Sequence, residues 1–145
     1  MRFPEPHPGL VIRYAYLWKR EQDEGFEDGL KARPCAVVLS LREADGRIRV
    51  RVLPVTHSPP DDRVPAVEIP PPTKTRLGLD ADRSWIVLSE SNVFTWPGPD
   101  LRALPEQDSS AVAYGMLPKE FFRHIQTKFL QLAEAGESSM VHRTE

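Results

Sequence analysis

A chain of 145 residues, 40% hydrophobic, 8% aromatic and 28% charged, makes one globular domain with a single core and excludes a string of independent modules. Nineteen Lys and Arg against 21 Asp and Glu leave a formal net charge of −2, which excludes a global positive field, so any nucleic-acid site is a local patch. The single cysteine, Cys35, excludes an intramolecular disulfide and a cysteine-based zinc site, and it points to a reducing cytoplasm.

Residues 1–8 carry three prolines and read as an N-terminal arm; no apolar run is long enough to span a bilayer, so neither export nor membrane insertion is expected. From 10 to 18, Leu10, Ile12, Tyr14, Tyr16 and Trp18 alternate with Arg13 on the opposite face, the pattern of a half-buried strand. Residues 19–32 are acidic, hold Gly25 and Gly29, and lack an apolar face, which predicts a solvated loop. The Val-rich run 35–41 predicts a central strand covered on both faces. Asp45-Gly46 marks a tight hairpin into 47–52, whose Ile48, Val50 and Val52 point inward. Arg47, Arg49 and Arg51 then share the outward face, either as a solvated edge or as a small row facing phosphates.

Segments 64–69, 84–89 and 92–96 are further short strands, and Trp85, Phe94 and Trp96 read as core packing ahead of base stacking. Pro118 suits a first helical turn, and Phe122, Ile125, Phe129, Leu132 and Ala133 recur at helical spacing up to Gly136. Residues 136–145 lack an apolar face and read as a polar, frayed tail. The expected domain therefore runs 9–135, mainly β (α+β), as a strongly bent sheet or small barrel whose open flank is covered by an amphipathic helix.

Arg33, before Pro34 at the entrance of the central strand, and Thr56 and His57, at the exit of the next, are the candidate constellation. A guanidinium forks onto phosphate and offsets developing charge, a hydroxyl donates to a phosphoryl oxygen, and imidazole moves protons near neutral pH. RNA brings its own nucleophile, the 2′-hydroxyl, so such chemistry needs no metal, and no cofactor is expected. His7, His57, His124 and His142 show no ligand-like spacing. Lys74 and Arg76, in a presumed loop at 71–76, and Arg49 are candidate phosphate contacts, with solvated charge as the plainer reading.

Three ordered pieces carry a resemblance. Gly29-Leu30-Lys31-Ala32-Arg33-Pro34-Cys35-Ala36-Val37-Val38-Leu39 is similar to a Gly-x-x-x-Arg-Pro motif opening an apolar strand, Val52-Leu53-Pro54-Val55-Thr56-His57 to Val-x-Pro-Ile-Thr-Ser, and Leu117-Pro118 opens a late helix. In this order the chain resembles, over 9–135, the PemK/MazF-like toxins of bacterial toxin-antitoxin systems. The resemblance implies an SH3-like barrel, a cytoplasmic homodimer, and cleavage of single-stranded RNA without metal, neutralised by a small antitoxin. It also implies catalytic roles for Arg33 and Thr56. Where some members carry Arg-x-Asp, this chain has Leu88-Ser89-Glu90, which retains the acid and loses the cation, leaving His57 or Glu90 to transfer protons. The alternative is a non-catalytic toxin-derived domain that binds an antitoxin or a protein target such as gyrase.

Overall fold

The computed structural model describes residues 2–27, 31–106 and 109–143. Met1, residues 28–30 with the Gly29 and Leu30 of the Arg-Pro motif, residues 107–108 and the last two residues of the tail lie outside the described residues.

Strand β1 (Leu10–Tyr14) leads through the short helix α1 (Lys19–Asp23) to β2 (Arg33–Arg42) and its hairpin partner β3 (Ile48–Thr56). Next come β4 (Ala66–Glu68), α2 (Pro71–Leu77), β5 (Trp85–Val87), β6 (Glu90–Trp96), β7 (Ala113–Met116), α3 (Lys119–Glu134) and β8 (Ser139–His142). The eight strands form one sheet of order β4-β5-β3-β2-β1-β7, with β6 on β3 and β8 beyond β6; all pairs are antiparallel except β6–β8. The fold is α+β and mostly β.

The long strand β3 forks the sheet. Its first half, Ile48 to Val52, pairs with β6, and its end, Val55 and Thr56, pairs with β5. The strand order does not return to its start, so among the described residues the sheet bends without closing, where the sequence allowed a barrel.

Both faces of the sheet are buried, as the Val-rich run predicts. Ile12, Tyr14, Tyr16, Trp18, Cys35, Val37, Val50 and Val52 form one core with Phe94 and Trp96. Val11, Ala36, Val38, Leu53, Val55 and Ile86 form the other, under Ile125 and Phe129 of α3. Stacking of Tyr14 on Phe94, with centroids 4.5 Å apart, locks β1 to β6. Trp85, Phe94 and Trp96 are buried, as core packing requires.

Three expectations change. The presumed loop at 71–76 is α2: Pro71 occupies the first helical turn, where its missing N–H costs nothing, and Gly78 ends the helix at φ 72°. The acidic loop begins with the one-turn helix α1, started by the Glu21 carboxylate accepting the Trp18 backbone N–H at 3.0 Å. The frayed tail instead supplies β8, parallel to β6, with Val141 fully buried.

Candidate active site

The order β7-β1-β2-β3 puts four strands side by side, and the end of β2 that begins at Arg33 meets the end of β3 that finishes at Thr56. There a cleft of about 390 Å³ opens, lined by Arg13, Lys31, Arg33, Pro34, Val55, His57, Lys74, Asp80, Ser84 and Tyr114. Among the described residues, four cations and one imidazole face one carboxylate, so the cleft is a local positive patch on a chain of formal net charge −2.

Alternation decides which side chains share a side. Cys35 lies opposite Pro54, and continuing that register outward sets Arg33 opposite Thr56, on the face of the first core. His57 follows Val55 by two residues and takes the face of the second core. The three candidates therefore occupy one corner of the sheet, with His57 across from Thr56.

His57 is half-exposed, and its Nε2 lies 2.8 Å from Asp80 Oδ2. The other oxygen, Asp80 Oδ1, accepts from Lys74 Nζ at 2.8 Å. Lys74 is buried and also donates to the Ser84 hydroxyl at 2.6 Å and to the Asp82 carbonyl. The hydrogen bond from Lys74 holds the Asp80 carboxyl below its ordinary value against the opposing effect of burial, with the charges of Lys74 and His57 adding to the lowering. The Asp80 carboxylate thus anchors the imidazole at Nε2 and leaves the other ring nitrogen to face away from Asp80. His57, Asp80 and Asp82 bring ligand-type atoms within 4.8 Å of one another, but Lys74 already supplies positive charge at that spot.

Arg33 is half-buried. Its Nη1 donates to the Val55 carbonyl at 3.2 Å and its guanidinium lies 5.0 Å from the Trp18 ring centroid, which holds it at the end of the sheet beside the cleft. Its Nε is buried without a protein partner. Thr56 does not line the cleft; its Oγ1 accepts the Ser58 N–H at 3.1 Å and closes the turn that carries His57.

Glu90 lies outside the cleft and is half-buried, accepting from the Tyr16 hydroxyl and the Lys19 N–H, both at 3.0 Å. Burial raises its pKa, and those two hydrogen bonds offset part of the rise. Arg49 is exposed and paired with Glu43 at 3.1 Å, while Arg76 donates to the Met116 carbonyl at 2.7 Å; neither lines the cleft. The arginine row does not form a free surface: Arg47 pairs with Asp45, and Arg51 donates to Ser91 Oγ at 2.7 Å with its guanidinium over Phe129.

The structure thus brings Arg33, His57 and Lys74 of the predicted residues to the cleft, keeps Thr56 at the same corner outside the lining, and sets Glu90, Arg49 and Arg76 apart from it. Asp80, Tyr114 and Lys31 were not anticipated. Arg13 was placed on the correct strand face by alternation alone, but Asp80 follows a helix that the sequence did not reveal. No protein-family model matches this chain, and no match is found among curated proteins.

Proposed function

We propose that the protein is a toxin-like endoribonuclease of the PemK/MazF kind, its bent sheet a form of SH3-like barrel, cleaving single-stranded RNA without a required metal. One observation carries the reading: Arg33 and His57, from the ends of two adjacent strands, line the same cationic cleft, and His57 is anchored by a carboxylate. In this reading His57 accepts the proton of the 2′-hydroxyl as that oxygen bonds to phosphorus. The bond from phosphorus to the 5′-oxygen breaks, and that oxygen takes a proton from solvent in the open cleft. Arg33 offsets the charge that accumulates on the phosphoryl oxygens. Glu90, held by Tyr16 and Lys19, is withdrawn from the proton transfer, which falls to His57. Thr56 acts as a positioning residue through the turn it closes. Inhibition by a small antitoxin and assembly as a homodimer belong to the same proposal.

The products are a 2′,3′-cyclic phosphate and a 5′-hydroxyl, read by end mapping of single-stranded RNAs incubated with purified, folded protein. Arg33→Ala slows cleavage by roughly 10²–10³-fold, the usual loss when one donor to developing charge is removed. RNA left intact by the wild-type chain sinks the proposal. A second reading, a non-catalytic domain that binds an antitoxin or a target such as gyrase, draws on a separate observation: the Arg33 guanidinium and the Thr56 hydroxyl are both engaged within the fold. Partner capture that survives Arg33→Ala, without cleavage, selects it.

A further inference from the structure

In the sheet β7 and β3 lie three strand spacings, about 14 Å, apart, and the cleft draws its lining from both, Tyr114 on β7 and His57 beyond β3. Among the described residues lining it, Tyr114 is the one Phe, Tyr or Trp side chain. Its ring is half-buried, packed on the second core, so the aromatic face is presented by a rigid element. Arg13 lies on the neighbouring strand β1 and lines the same cleft, and its Nη1 donates to the Ala103 carbonyl at 2.8 Å, which fixes the guanidinium. Burial raises the pKa of the Tyr114 hydroxyl, so the ring stays a neutral phenol at physiological pH.

An aromatic face beside a fixed cation is the combination with which proteins hold single-stranded nucleic acid: the base stacks and the phosphate pairs. Resting on the ribonuclease reading, we infer that Tyr114 and Arg13 form a second nucleotide subsite, Tyr114 stacking the base and Arg13 holding the phosphate of a nucleotide beyond the scissile linkage.

The test compares an RNA dinucleotide, which has one linkage, with an RNA tetranucleotide, and adds a DNA tetranucleotide as a binding probe that lacks the attacking hydroxyl. In wild-type protein kcat/KM is higher for the tetranucleotide. Tyr114→Leu keeps bulk without the stacking face and lowers the ratio of tetranucleotide to dinucleotide kcat/KM by about 5- to 150-fold, while Tyr114→Phe restores it. The Kd of the DNA tetranucleotide rises in Tyr114→Leu by a similar factor, and Arg13→Gln weakens the same probe. An unchanged ratio in Tyr114→Leu, or equal losses on both RNAs, overturns the subsite while leaving ribonuclease activity standing. A wild-type chain that cleaves neither RNA, yet binds the DNA probe in a Tyr114-dependent way, overturns the ribonuclease reading and keeps the subsite. Failure of the wild-type chain to bind or cleave any of the three overturns both.

Discussion

Lys74 carries its charge where almost no water reaches it, with 6% of the side chain exposed, and it holds that charge because three acceptors surround Nζ. A buried ammonium is costly unless each donor finds a partner. Here the partners come from Asp80, Asp82 and Ser84, so one side chain of α2 fixes the segment that positions the Asp80 carboxylate against His57. Lys74→Met keeps most of the volume and takes the ammonium away from the Ser84 hydroxyl and the Asp82 carbonyl, which keep only their own contact at 3.4 Å, at a cost of about 1–3 kcal/mol in urea denaturation at neutral pH. The ion pair with Asp80 adds little, because Asp80 is half-exposed. Its sign is still readable. The Asp80 carboxyl titrates below its ordinary 3.8 in the folded state, so its contribution is full above that value and disappears as pH falls through the lower, folded one. The stability gap between wild type and Lys74→Met therefore narrows below about pH 3.8. A gap that widens on acidification contradicts the pairing.

At the scale of elements, β8 shows how four residues can matter more than their composition suggests. Val141 is fully buried, and Arg143, just past the strand, donates to the Ala15 carbonyl at 2.7 Å and to Asn92 Oδ1 at 3.1 Å while lying 3.0 Å from Asp100. These contacts tie the late chain to the segment after β1, to β6 and to the loop before β7. Removing residues 139–145 exposes the β6 edge and strips Asp100 of its buried partner, a change of about 3–5 kcal/mol for the pair alone. Urea denaturation of the truncated chain should show a loss of at least that size; stability within about 1 kcal/mol of the full chain would contradict it. The strand was illegible in the sequence because it has one inward apolar side chain and an exposed Met140, too short a pattern to register a period of two. The same holds for α2, where Leu77 is the one buried apolar side chain, and for β7, whose pairing with β1 shifts register. By contrast β1, β2, β3, β6 and α3 were legible, since each buries several side chains at its own period. Arg33 and His57 could be placed at one corner because a hairpin joins their strands. Asp80 and Tyr114 reach that corner through tertiary packing, which leaves no local pattern.

For the whole molecule, the formal net charge of −2 sets a boundary on how any polyanion is held. A negatively charged chain gains nothing from long-range attraction, so binding depends on the few cations inside a Debye length of the cleft. Among the described residues four line it, and Lys74 is already committed to Asp80, which leaves Arg13, Lys31 and Arg33 to meet phosphates. Single-stranded nucleic acid releases about 0.7 of a counterion for each phosphate neutralised, so three contacts give a slope of about −2 in log Kobs against log salt concentration. Titration of a labelled single-stranded RNA whose 2′-hydroxyls are methylated, so that it binds without cleavage, at several potassium chloride concentrations measures that slope in the wild-type chain, with about −1.4 expected for Arg33→Ala. A slope of −5 or steeper would place the RNA on a wider basic surface than this cleft. A slope near zero would mean that no phosphate is paired, and the cationic lining would then serve the fold and not a nucleic acid.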